Sequence, residues 1–326
     1  VLSERLLKEE YMTMLSVVVP ALNEEKGIGV TIESIKITLV KAGINRYQIV
    51  VVNDGSKDAT GRIAKEHGAH VVNHVHNLGY GRSLKDGISA ATYDTIAIVD
   101  ADGTYPISRL PEFLAEYNKG YDLVVGRRQG AHYHESWLKR PLRSILKFLV
   151  EFTTGQAIPD INSGMRIFSR KTILPYFDQL CNTFSFTTSQ TMAYMLTGRF
   201  IGYIAIDYHS RIGEKKVKLF RDSLRTLQYI VQSVLYYNPF KLFLLISMGT
   251  LCASVGGVVL GLALTSSVLT ALGGVGLLTS VLIFSLGLLA DQMRQILIKI
   301  QYRANDGSVI RGTSVVGEPR RVANLD

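Results

Sequence analysis

Thr95-Ile96-Ala97-Ile98-Val99-Asp100-Ala101-Asp102 runs a short β-branched, apolar stretch straight into two carboxylates. A run of this length and composition reads as a strand buried on both faces. Its last polar residues, Asp100 and Asp102, sit where such a strand ends. Two carboxylates two residues apart can converge on one hard divalent cation. Mg²⁺ and Mn²⁺ prefer carboxylate and phosphate oxygens and often bridge a protein to a nucleotide diphosphate. Acidic turns after strands are common, so the pair takes its weight from its neighbours.

Working outward, the same grammar repeats. Leu15 to Val19 reads as a strand that ends in Pro20-Ala21-Leu22-Asn23-Glu24. Gln48 to Val52 ends in Asn53-Asp54-Gly55-Ser56, and Leu123 to Gly126 ends in Arg127 and Arg128. Ala69 to Asn73 is a further strand. Helical patterns fill Glu24 to Lys41, Asp58 to Gly68, Gly79 to Ala91 and Ser108 to Lys119. This alternation predicts an α/β fold with a mostly parallel sheet and helices on both faces. Such sheets bind ligands at the carboxyl ends of their strands. Each motif also has a plainer reading. Asp54-Gly55 is a common turn, and Asn23 with Glu24 makes an ordinary helix start. Asn77-Leu78-Gly79-Tyr80-Gly81-Arg82 opens a helix but lacks the Walker lysine spacing.

The C-terminal part is different in kind. Leu242 through Ala290 contain no Asp, Glu, Lys, Arg or His. A spanning helix needs roughly 20 apolar residues, so the run fits two passes and a short turn. Lys215, Lys216, Lys218, Arg221, Arg225 and Lys241 precede it, and Arg294, Lys299 and Arg303 follow. The turn near Thr265, Ser266 and Ser267 is uncharged. That is the positive-inside pattern of a hairpin with both ends cytoplasmic. The 326-residue chain carries a formal net charge of +9. A basic belt beside a membrane favours anionic headgroups over nucleic acid, for which the sequence has no signature. Leu142 to Thr153 and Leu219 to Tyr237 are amphipathic with interleaved basic residues, a pattern that fits interfacial helices and also ordinary surface or oligomer-contact helices. Gly257 and Gly261, four apart, allow close helix packing.

Other features bound the reading. Cys181 and Cys252 fall in different segments, so neither a disulfide framework nor a cysteine-based zinc site is available. The polar N-terminus has no signal-peptide core, and the catalytic part is expected to stay cytoplasmic. His67, His70, His74 and His76 straddle a helix end and a strand and do not suggest a metal site. The expected divisions are a catalytic domain at 1–217, a juxtamembrane helix at 218–239, a two-span hairpin at 240–303 and a polar, disordered tail at 304–326.

Taken together, these motifs resemble the family 2, A-type (GT-A) glycosyltransferases. Within that family they are most similar to the polyprenyl-phosphate glycosyltransferases: dolichyl-phosphate mannose synthase and, more closely, the bacterial bactoprenol glucosyltransferases. The resemblance implies a GT-A Rossmann-like domain carried by a transmembrane hairpin in a bacterial inner membrane. It implies that Pro20, Ala21, Leu22, Asn23, Glu24, Asp54, Ser56, Gly79, Gly81 and Lys85 line a nucleotide-sugar pocket. Asp100, Ala101 and Asp102 would hold the diphosphate, with Asp100 and Asp102 as ligands of Mg²⁺ or Mn²⁺. Arg127 would lie near the sugar or the acceptor phosphate. Asp160, in Asp160-Ile161-Asn162-Ser163-Gly164-Met165-Arg166, matches the motif of the proposed catalytic carboxylate, and Asp102 is the second catalytic candidate. Arg166, Arg211 and Lys216 would meet the acceptor phosphate. The partners implied are UDP-glucose, undecaprenyl phosphate, the bilayer and further copies of the chain, as a tetramer.

The sequence departs from the family pattern at Asn53, where a first Asp is usual, at Thr104, where some members carry a further metal ligand, and at Lys215, where Ser is usual. Three rivals stand beside this reading: the same fold using GDP-mannose, a processive polysaccharide synthase, and a non-catalytic membrane sensor. The synthase requires a Gln-x-x-Arg-Trp motif, which the lone Trp137 does not supply. Intact Asp100, Asp102, Asp160, Arg166 and Arg211 argue against the sensor.

Overall fold

The computed structural model describes residues 14–129; 148–209 except 149, 153, 161 and 184; 228, 231 and 232; and 234–313. Arg211, Lys216 and most of the two amphipathic segments at 142–153 and 219–237 lie outside these residues. The chain divides into two compact units, Val1–Val234 and Leu235–Asp326.

The first unit is built on β1 (Met14–Ala21), α1 (Ile28–Lys41), β2 (Arg46–Asn53), α2 (Thr60–Glu66), β3 (His70–Asn73), α3 (Tyr80–Ala90), β4 (Thr95–Ile98), α4 (Leu110–Tyr117), β5 (Leu123–Gln129), β6 (Arg166–Ser169), α5 (Arg170–Ile173), α6 (Phe186–Leu196) and β7 (Ile201–Asp207). The seven strands form one sheet in the order β3-β2-β1-β4-β6-β5-β7. Val18 pairs with Val50 on one side and Ile98 on the other, all parallel. Among the described strands only β6 runs against its neighbours, β4 and β5. The sheet is therefore mostly parallel, as expected, with one reversed strand that the sequence reading lacked. α6 and β7 were also unanticipated.

The strands are continuous apolar runs because both faces are covered. Leu15, Val17, Val19 and Val51 pack with Ile28, Ile32, Ile35 and Leu39 of α1 and with Phe113 of α4. On the other face α3 approaches so closely that a Cβ on Gly87 would lie 2.5 Å from Val18 Cγ1. The winding order switches at β1, with β2 and β3 laid to one side and β4 to the other, all parallel. That is the crevice where doubly wound sheets take ligands, and the ends of β1, β2 and β4 open onto it.

The second unit contains α7 (Pro239–Ala263) and α8 (Ser267–Thr313). Pro239 and Asn238, whose side chain accepts from Lys241 N, start α7. The two helices meet along small residues: Cβ atoms on Gly273 and Gly276 would strike Val258 and Ser254, and one on Gly261 would strike Thr270. Large side chains such as Leu262 and Leu278 point outward and are exposed. Both helices are long and apolar enough to cross a membrane, over Pro239–Ala263 and Ser267–Leu297. α8 continues to Thr313, so 304–313 is helical where an irregular tail was expected. Once a helix is nucleated, extending it costs little.

Candidate active site

The loops after β1 and β2 lock together. Asn23 N donates to Ser56 Oγ (2.9 Å), and Lys57 N donates back to Asn23 Oδ1 (2.8 Å). Glu24 N donates to Thr60 Oγ1 at 2.8 Å. Asn23 holds φ 48°, a left-handed conformation that asparagine tolerates better than most residues. Beneath this loop, a Cβ on Gly27 would come within 2.7 Å of Ala101 O, and Thr31 Oγ1 donates to the same carbonyl. The loop after β1 thus rests on the residue between Asp100 and Asp102. Pro20 and Ala21 are buried beside it in the β1–β2 ladder, and Leu22 is half-buried.

Asp54 is buried, and its carboxylate is engaged by protein. Leu78 N and Gly79 N donate to it at 2.8 and 3.0 Å, and His74 Nδ1 lies 2.7 Å away. His74 Nε2 meets Asp86, which also receives Arg82. Gly79 reaches this position with φ 104°, open to glycine and strained for other residues. The Asn77–Arg82 loop that opens α3 is therefore tied down by Asp54. Gly81 and Lys85 face a different partner. Gly81 lies against the backbone at Cys181, and Lys85 Nζ donates to Leu180 O and Asn182 Oδ1. These two residues clamp the segment before α6 to α3.

The two strand-end carboxylates are each fixed by a hydroxyl. Tyr80 OH donates to Asp100 Oδ1 at 2.9 Å. Thr104 donates to Asp102 Oδ1 through Oγ1 (2.6 Å) and N (3.1 Å). A Cβ on Gly164 would lie 2.6 Å from Asp100 Oδ2, so the Asp160–Arg166 segment abuts Asp100. Gly164 N also donates to Tyr105 OH. Among the described residues no group of three or more His, Cys, Asp or Glu side chains could hold a metal by itself. Two hard carboxylates beside a ligand diphosphate remain a fitting donor set for Mg²⁺ or Mn²⁺.

Asp160 is buried and forms a two-pronged ion pair with Arg128: Nε to Oδ2 at 2.8 Å and Nη2 to Oδ1 at 2.9 Å. Arg128 N and Asn162 N, both at 3.1 Å, complete the carboxylate's shell. Arg128 also lies over the Tyr208 ring, 5.5 Å from its centre. Its neighbour Arg127, the expected residue, is exposed. Alternation along β5 sends the two side chains to opposite faces, and the inward one is Arg128.

Arg166 requires a correction. Its side chain is fully buried. The guanidinium donates to Ser163 O, Thr187 O and Gln190 Oε1, with Thr191 Oγ1 at 3.4 Å. Burial lowers its pKa from the ordinary arginine value. With no surface exposed, it braces the Ser163 segment against α6 and cannot meet an acceptor phosphate.

Fold and site together describe an α/β enzyme that presents carboxylates at the ends of parallel strands. Residues 16–176 match the family model "Glycosyl transferase family 2", and 238–296 match "GtrB C-terminal hairpin". A dolichyl-phosphate hexose transferase of Haloferax volcanii is 32% identical over 208 residues, covering 63% of this chain and 87% of its own. A glycosyltransferase of Mycobacterium tuberculosis is 35% identical over 161 residues, 49% of this chain and 69% of that one. An undecaprenyl-phosphate 4-deoxy-4-formamido-L-arabinose transferase of an Enterobacter species is 30% identical over 172 residues, 51% and 52% of the two chains. Among solved structures, glucosyl-3-phosphoglycerate synthase from M. tuberculosis with Mn²⁺, UDP-glucose and phosphoglyceric acid superposes with a TM-score of 0.55. That likeness covers 68% of this chain and 79% of the other at 20% identity, and it shows the GT-A fold. The chain belongs to glycosyltransferase family 2 and carries the C-terminal hairpin of the GtrB type.

Proposed function

We propose that this glycosyltransferase moves glucose from UDP-glucose to the phosphate of a membrane polyprenyl phosphate, undecaprenyl phosphate, with inversion at the anomeric carbon. The observation that carries the reading is the union, in one chain, of a strand-end carboxylate pair with an apolar hairpin. A soluble transferase has no need of such an anchor, whereas an acceptor embedded in the bilayer does. Relatives named for dolichyl- and undecaprenyl-phosphate acceptors support it. The basic residues flanking the hairpin support a reading in which both of its ends, and the catalytic unit, are cytoplasmic.

In this reading the acceptor phosphate oxygen forms a bond to the anomeric carbon. The bond from that carbon to the diphosphate breaks, and UDP leaves with the electron pair. Asp100 and Asp102 would hold Mg²⁺ or Mn²⁺, which offsets charge on the leaving diphosphate. Pro20, Ala21, Leu22, Asn23, Glu24, Asp54 and Ser56 shape the nucleotide side. A phosphate monoester has a second pKa of about 6, so the acceptor is already anionic and needs no strong base. Asp160, enclosed by Arg128, then acts by orienting that arginine. Arg128, with Arg211 and Lys216, lowers the repulsion between two anionic substrates.

The donor is tested by supplying radiolabelled UDP-glucose, UDP-galactose, UDP-N-acetylglucosamine or GDP-mannose with undecaprenyl phosphate in detergent. UDP-glucose is expected to label the chloroform-soluble lipid. Label from GDP-mannose alone would overturn the donor assignment and leave the acceptor standing.

A further inference from the structure

The Asn77–Tyr80 loop joins two of the site's carboxylates. At one end Asp54 accepts the amides of Leu78 and Gly79. At the other, Tyr80 OH donates to Asp100 Oδ1 at 2.9 Å. The start of α3 is pinned from a third direction, because Arg82 N donates to Asn182 O and Gly81 lies against the Cys181 carbonyl. Tyr80 is thus delivered to Asp100 on a backbone with little freedom. On the opposite side, the closeness of Gly164 to Asp100 Oδ2 leaves no room for even a methyl group. The carboxylate is bracketed at both oxygens, and its rotation is set by these neighbours.

We propose that Tyr80 is a positioning residue for the divalent-cation site, fixing the orientation in which Asp100 meets the ion. The proposal rests on the reading of Asp100 and Asp102 as cation ligands. Hydrogen-bond partners behind a metal ligand typically set affinity by about 10- to 100-fold when removed. His74 supports the arrangement from a distance. Its side chain is 6% exposed, and it holds Asp54 at 2.7 Å.

The test is Mn²⁺ binding to the full-length chain in detergent with UDP present, read from the spin-resonance signal of free Mn²⁺. Tyr80→Phe keeps the ring and removes the hydroxyl. It should weaken Mn²⁺ binding by about tenfold. At saturating Mn²⁺ its KM for UDP-glucose should match that of the parent chain. His74→Gln should weaken Mn²⁺ binding in the same direction by a smaller factor, and it decides the matter if Tyr80→Phe does not fold. Parental Mn²⁺ affinity in a folded Tyr80→Phe chain, or in folded His74→Gln where that variant decides, would overturn the proposal. A parent chain that binds no Mn²⁺ with UDP would overturn the cation reading itself, and this proposal with it.

Discussion

Arg128 and Asp160 face each other through two parallel hydrogen bonds, at 2.8 and 2.9 Å, with side chains 15% and 5% exposed. The geometry is the fork-to-fork pairing that guanidinium and carboxylate favour. A carboxylate so enclosed is well placed to hold the guanidinium still.

Asp160→Asn should therefore fold and bind donor yet transfer sugar about 100-fold more slowly. Removing one partner of a largely buried pair should also cost about 3 kcal/mol of stability. Arg128→Gln should show the same pattern, and the double variant should be little worse than either single one. Thermal denaturation and steady-state kinetics on the three variants check this. Fully additive losses would mean that the two residues act separately.

Asp102→Ala should abolish the dependence of UDP-glucose affinity on Mn²⁺. Asp102 is held by both the hydroxyl and the amide of Thr104, so Thr104→Val should give a milder form of the same defect. Donor titrations with Mn²⁺ and with EDTA separate the cases. An unchanged Mn²⁺ effect in Asp102→Ala would remove that residue from the site.

Two glycine-to-alanine changes should fail differently. At Gly81 the added Cβ meets Cys181 O at 2.2 Å, with more backbone at 2.8 Å. Gly81→Ala should lose about 3 kcal/mol of stability by overpacking. At Gly164 the Cβ meets the Asp100 carboxylate instead, at 2.6 Å. Gly164→Ala should mainly raise the Mn²⁺ concentration needed for half-maximal activity. Denaturation midpoints and Mn²⁺ activation curves distinguish the two.

These contrasts also mark what a linear reading can see. The β-branched runs at Leu15, Gln48 and Thr95 announced their strands, and the carboxylates after them announced an α/β crevice. Arg127 and Arg128 are adjacent at the end of β5, and a strand buried on both faces gives no sign in the sequence of which of them pairs with Asp160. The resemblance set Arg166 toward the acceptor phosphate, and a linear motif carries no sign that α6 encloses this arginine. That helix escaped notice in turn. Phe186–Leu196 is rich in threonine and serine and buried nearly all round, so it shows no amphipathic stripe. The resemblance set Gly81 and Lys85 along the nucleotide-sugar pocket, and only the fold reveals that segment 180–183 lies against them.

Removing the chain after Tyr237 should sharply reduce transfer to undecaprenyl phosphate in membranes while sparing transfer to a short, water-soluble prenyl phosphate. The comparison is made at matched enzyme concentration with both acceptors. Full activity on the long acceptor would mean that the hairpin does not help present it.

The most direct test of the central claim is sugar transfer itself. Parent and Asp102→Ala chains are incubated with radiolabelled UDP-glucose and undecaprenyl phosphate, with Mn²⁺ or with EDTA, and the chloroform phase is counted. Label should enter the lipid only with the parent chain and Mn²⁺, as an acid-labile glucosyl phosphate. A folded parent chain that labels no lipid, or one that labels it equally in EDTA, would contradict the account.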